Sequence, residues 1–164
     1  MIRKQKGYSL TELMVVVSIM GTVGLIAAPN VATSLPSYRL RNSAADMCAN
    51  IRKARSTAVK QNRDIIVQFN IADRTYRIDN GKPVALAEGI SFGHGKASAS
   101  AAETGDMIPA DGVSFTDNRE TVNTQGLSTP GYVYLQNTKG EAFAMGALAS
   151  GRIVLKQWAA SEWK

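Results

Sequence analysis

Cysteine and histidine each occur once in the 164 residues, as Cys48 and His94. A single thiol closes no intrachain disulfide, and one cysteine with one histidine cannot supply the four ligands of a structural zinc site. Phosphate-binding glycine loops, nucleophile motifs and cofactor fingerprints are also missing. Asp106 and Asp111 do not keep the spacing of a calcium loop. His94 lies in a Gly-, Ala- and Ser-rich stretch without a local carboxylate, and reads as an exposed loop residue. The expectation is a protein that is not an enzyme, with no catalytic residues, no metal and no cofactor. Cys48 reads as a small buried hydrophobe.

What is present is an ordinary globular composition, 45% apolar and 20% charged. That disfavours disorder, collagen and a polytopic membrane protein, and the length suits one domain. The net charge of +6 is unevenly spread. Residues 1–7 carry +3 through Arg3, Lys4 and Lys6, residues 8–38 carry −1, residues 39–63 carry +6, and residues 64–164 carry −2. A basic total therefore does not imply a basic carboxyl-terminal region.

No charge occurs from Leu13 to Tyr38. The block Leu13 to Ala28 has twelve apolar residues, with Ser18, Gly21, Thr22 and Gly24 among them. With the weaker stretch to Leu35 it reaches the roughly 20 residues that a hydrocarbon core requires. Basic residues ahead of it favour a cytoplasmic amino terminus and an exported remainder. The expectation is a transmembrane helix half over residues 8–36. A secretory signal would instead be removed at a small-residue site such as Gly24 to Ala28. Glu12 at the edge of the block, and Gly7 standing before it rather than after it, argue against that alternative.

The run Lys6-Gly7-Tyr8-Ser9-Leu10-Thr11-Glu12-Leu13, followed by Met14 to Ala28 and Pro29, resembles the leader of type IV pilins and type II secretion pseudopilins. Tyr8 replaces the usual phenylalanine, and Thr11 a larger apolar residue. The resemblance implies a leader peptide of residues 1–7, cut by a prepilin peptidase between Gly7 and Tyr8, with N-methylation of Tyr8. Cleavage places an ammonium four residues from the Glu12 carboxylate. Each charge is costly in hydrocarbon alone, so a neighbouring subunit's amine against Glu12 would neutralise both. The resemblance implies this intersubunit pairing. Geometry leaves open a contact within one helix, or a carboxylate that favours the helix dipole.

Pro29 is expected to kink or locally melt the helix. Beyond Pro36, Leu40, Ala44, Met47, Ile51, Ala54 and Ala58 recur at three- and four-residue steps. That spacing predicts an amphipathic helix over 37–62 with its apolar side under a head. Over 64–158 the pattern turns to short strands: Asp64 to Asn70, Thr75 to Asp79, Val84 to Ala87, Ile90 to Phe92, Val113 to Phe115, Gly131 to Leu135, Ala142 to Met145 and Arg152 to Trp158. Gly93 to Gly105 reads as a mobile loop. The fold class is α+β: a long amino-terminal helix packed against an antiparallel, β-rich head over residues 37–164.

Val113-Ser114-Phe115, the turn Asn137 to Gly140, and Gly151-Arg152-Ile153-Val154 with Trp158 resemble the GspH/FimT branch of minor pilins. The implied function is a GspH-like minor pseudopilin, a structural filament subunit of the type II secretion pseudopilus. The alternative is a FimT-like minor type IV pilin for pilus assembly or DNA binding in natural transformation. Some of those relatives carry a second arginine where this chain has Val154. Arg152 and Lys156 are the candidate DNA contacts, but few cations mean little phosphate affinity, so nucleic acid is not favoured. The implied partners are the prepilin peptidase, other pilins or pseudopilins, and inner-membrane lipid. The implied location is the bacterial inner membrane, single-pass, with the carboxyl-terminal domain in the periplasm.

Overall fold

The computed structural model describes residues 8–102, 107–159 and 161–164, and of residues 24–31 the backbone only. The leader with Gly7, and the last residues of the 93–105 stretch, lie outside the described residues. The chain divides into two compact units, Met1–Leu35 and Pro36–Lys164. One 52-residue helix, α1 (Leu10–Gln61), contributes to both.

In the first unit the Ser9 carbonyl accepts the Leu13 N–H at 3.1 Å and opens the helix. The hydroxyls of Ser18 and Thr22 turn back onto the carbonyls of Met14, at 2.8 Å, and Ile19, at 2.9 Å. Polar side chains satisfied by their own backbone leave the helix surface apolar. The helix does not melt at Pro29: α1 is continuous through Pro29 and Pro36. Proline removes one N–H and disturbs one preceding carbonyl, a local loss within a long helix.

The expected transmembrane half, residues 8–36, is corrected. Among the described residues no helix is long and apolar enough to cross a membrane. Ser18, Gly21, Thr22 and Gly24 interrupt the apolar residues of the block and lower its mean hydropathy. The single-pass inner-membrane location rested on that span and falls with it.

In the second unit the expected stripe is the core face of α1: Leu40, Ala44, Met47, Ile51, Ala54 and Ala58 are all buried. The helix ends where Asn62 adopts φ 48° and the Arg63 N–H reaches back to the Ala58 carbonyl at 3.2 Å, a left-handed cap. The chain then enters β1 (Ile65–Asn70) and turns into β2 (Thr75–Ile78), with Val67 opposite Ile78 and Asn70 opposite Thr75. After β3 (Val84–Ala85) and β4 (Ile90–Phe92) come β5 (Arg119–Val122), β6 (Gly131–Asn137), β7 (Ala142–Ala147), β8 (Ile153–Ala159) and β9 (Glu162–Trp163).

Two antiparallel sheets result, ordered β3-β2-β1-β5 and β4-β6-β7-β8-β9. Alternate residues of both sheets, among them Val67, Phe69, Val133, Leu135 and Met145, join the helix stripe in one core. Phe69 lies at its centre, stacked on Phe115 at 5.8 Å and edge-on to Phe92 at 6.2 Å.

Three expectations change. Val113 to Phe115 is not a strand, since only Val113 forms a bridge, to Val133. The backbone instead drops Phe115 into the core and turns through Asp117 and Asn118, both at φ 54°. The Gly93–Gly105 stretch packs as far as it is described: Ala97 and Ala101 are buried, and Ala101 N–H donates to the Tyr134 hydroxyl at 3.0 Å. His94 is half-buried, with Nδ1 3.0 Å from the Ala97 carbonyl.

Candidate assembly site and the charged groups of the head

Successive helical residues step by about 100°, so a run of adjacent apolar positions covers the whole circumference. Leu10, Leu13, Met14, Val15, Val16 and Val17 are such a set, and each is exposed, from 75% at Leu10 to 46% at Val16. A helix apolar on all sides is one that is covered in its working state. Glu12 stands within this surface. With Tyr8, Leu13, Val16 and Val17 it lines an open groove of about 360 Å³.

Ser9 and Glu12 have capping-box spacing. The Ser9 hydroxyl, however, shares a 2.7 Å hydrogen bond with the Thr11 hydroxyl. Among the described residues no hydrogen bond or ion pair engages the Glu12 carboxylate. Tyr8 is 86% exposed. The structure thus brings Tyr8 and Glu12 to one groove and leaves both open to a partner.

In the second unit part of the basic charge of residues 39–63 is already used. Arg39 pairs with Glu88 at 3.1 Å, and Arg63 pairs with Asp79 at 2.7 Å. Arg55 Nε donates to the Gly126 carbonyl at 2.8 Å. Arg152 and Lys156, the proposed phosphate contacts, lie on one face of β8 and line a cavity of about 600 Å³ with Ser114 and Tyr132. Arg152 is exposed. Lys156 is half-buried, donates to the Ala101 carbonyl at 3.0 Å and lies 6.0 Å over the Tyr132 ring. Trp158 and Trp163 pack edge to face at 5.2 Å.

One group went unrecognised in the sequence. Glu120 on β5 is fully buried opposite Val67. Its Oε1 accepts a 2.6 Å hydrogen bond from the Ser128 hydroxyl, while Oε2 has no partner. Burial pushes the carboxyl up to about 7, against the lowering effect of the Ser128 bond. Burial likewise raises the Cys48 thiol, with Arg52 opposing and Glu120 reinforcing the shift. Among the described residues no group of three or more His, Cys, Asp or Glu side chains could hold a metal ion.

Residues 2–28 match the family model described as the prokaryotic N-terminal methylation motif. That motif implies processing of the amino terminus by a peptidase-like enzyme. A comparison with curated proteins finds no match. Two solved structures of the minor pseudopilin EpsH from the type 2 secretion system of Vibrio cholerae are similar. One is 16% identical over 71% of this chain and 95% of that chain, with a TM-score of 0.50. The other is 17% identical over 79% and 100%, with a TM-score of 0.52. The type IV minor pilin FimU of Pseudomonas aeruginosa overlaps more loosely, at 17% identity over 73% and 89% with a TM-score of 0.47, and carries no argument. At these identities the likeness is one of fold. The resemblance read from the sequence is met by the motif at one end and by the fold.

Proposed function

We propose that this chain is a minor pilin-like structural subunit of a secretion or pilus filament, and specifically the GspH-like subunit of a type II secretion pseudopilus. The observation that carries this reading is the fully apolar, exposed helix surface with Glu12 set in it beside Tyr8. Cutting the Gly7–Tyr8 bond turns an amide nitrogen into an ammonium on Tyr8. When helices of several subunits pack side by side, the apolar residues are covered and stabilise the assembly through burial. A carboxylate covered with them is costly unless a cation joins it. The Tyr8 ammonium of a staggered neighbour supplies that cation, so charge pairing selects one axial offset.

The secretion reading draws support from the fold shared with EpsH, named as a minor pseudopilin. A FimT-like DNA-binding pilin is the second reading, supported by the exposed Arg152 guanidinium. It is weakened by Val154 in place of a cation and by the engagement of Lys156 with Ala101.

The test is made in the native host. Glu12→Ala is expected to leave the amino terminus processed, as read by mass spectrometry, while sharply reducing recovery in the sheared filament fraction. Gly7→Trp is expected to block processing. Normal incorporation of Glu12→Ala would contradict charge pairing, and a mature terminus downstream of residue 28 would contradict the whole reading. Mobility shift of duplex DNA at stated salt separates the second reading from the first.

A further inference from the structure

The second sheet leaves one strand edge open. The Leu148 N–H donates to the Arg152 carbonyl at 3.0 Å, which sets the phase of the ladder on β8. Arg152, Val154 and Lys156 turn their peptide groups toward β7, and Ile153, Leu155 and Gln157 turn theirs outward. Gln157 is met on that outer edge by Lys164 through reciprocal bonds of 2.7 and 2.9 Å, because β9 folds back with Trp163 opposite Trp158. β9 covers only the end of β8. Among the described residues the outward N–H and C=O groups of Ile153 and Leu155 have no hydrogen-bond partner.

The other edges are blunted in ways that discourage pairing. β3 has two residues and follows Pro83, which has no N–H to donate. β5 is covered by its own return, where Thr129 N–H donates to the Thr121 carbonyl at 2.9 Å. β4 has three residues, and the Ile90 N–H is taken by the Ala87 carbonyl at 3.0 Å.

Side chains on β8 alternate. Ile153 and Leu155 belong to the core, while Arg152, Val154 and Lys156 line the outer cavity, which has no acidic side chain among the described residues that line it. Arg152 has no hydrogen-bond partner among the described residues for its guanidinium, and Lys156 uses one donor, on Ala101. We infer that the open edge of β8 is a strand-addition site for an extended acidic segment of another polypeptide. Its backbone pairs with Ile153 and Leu155, and its carboxylates lie beside Arg152 and Lys156. Main-chain bonds hold such a strand, and alternate side chains select it. A second copy is a poor occupant, because two β8 edges paired antiparallel would set cations against cations.

The full chain is tested with an acetylated and amidated Val-Glu-Val-Glu-Val peptide. In the free chain the Ile153 and Leu155 amides are expected to exchange quickly and those of Val154 and Lys156 slowly. Added peptide is expected to protect the first pair. Replacing its glutamates by lysines, or methylating alternate peptide nitrogens, is expected to weaken binding about tenfold. Arg152→Glu with Lys156→Glu is expected to reverse the preference toward the lysine peptide. Leu155→Pro removes one outward N–H at a position where an edge strand tolerates proline, and is expected to abolish binding without loss of Trp158 and Trp163 fluorescence. Slow exchange of Ile153 and Leu155 in the free chain, equal binding of the methylated peptide, or preference for a single-stranded oligonucleotide would each overturn the proposal.

Discussion

Glu120 gives the head a pH dependence whose size and sign follow from its surroundings. The carboxyl is fully buried, one oxygen is unpartnered, and its value rises from 4.5 to about 7. No cation offsets the burial: β1 and the 123–130 return carry no titratable residue, and α1 brings Cys48 with Arg52 beyond it. A folded value above the unfolded one means that the folded chain holds the proton more tightly. The contribution is therefore whole below about pH 4.5, falls between about pH 4.5 and 7, and is lost above. A shift of about 2.5 units corresponds to about 3 kcal/mol. Glu120→Gln keeps an acceptor for Ser128 and does not ionise. Any cost of seating the amide at Oε2's unpartnered position is the same at every pH. The expected outcome, read by urea unfolding followed through Trp158 and Trp163, is that the variant gains about 3 kcal/mol on the native chain between pH 4.5 and pH 8. Parallel pH profiles for the two chains would refute the reasoning. Ser128→Ala removes the bond that opposes the rise, and should move the native profile's midpoint upward.

Three further outcomes test the packing. Ile51 has no exposed surface, so Ile51→Ala should cost about 3 kcal/mol, read by the same unfolding transition. Gly151 has φ 72°, and a Cβ there would collide with the Gly126 carbonyl, so Gly151→Ala should destabilise by more than about 1 kcal/mol, checked by thermal melting. Cys48 is buried with a raised thiol, so a colorimetric disulfide reagent at pH 8 should modify it only at the rate of unfolding, and immediately in denaturant.

The core face of α1 was legible because helical spacing and burial coincide: every position from Leu40 to Ala58 in the stripe is inside. The β1–β2 hairpin was legible for a similar reason, β-formers on both sides of a polar turn. β5 was not. Its four residues, Arg119 to Val122, place a glutamate where alternation demands an apolar side chain, and only the Ser128 hydroxyl, brought by a later turn, makes that position tolerable. The 93–102 stretch misled in the other direction. Its alanines and serines lack the bulk that marks a core, yet Ala101 fits beneath Tyr134 because it is small.

Glu12 and Glu120 show why one carboxylate stands out in the sequence and the other does not. The significance of Glu12 comes from neighbours along the chain: Gly7 and Tyr8 before it, and an uncharged run after it. Tyr8 and the start of that run lie beside Glu12 in the structure, on one exposed apolar groove, so chain order alone brings these groups together. The significance of Glu120 comes from neighbours in space, Val67 across the sheet and Ser128 from the return, which no local pattern joins to it. The two also solve the same electrostatic problem oppositely. A carboxylate placed in an apolar setting can acquire a cation or give up its charge. Glu120 has no cation within its own fold and shifts toward the neutral acid. Glu12, proposed to be covered only on assembly, has the option of a cation that proteolysis creates on another subunit, and an assembly that offers none should exclude it.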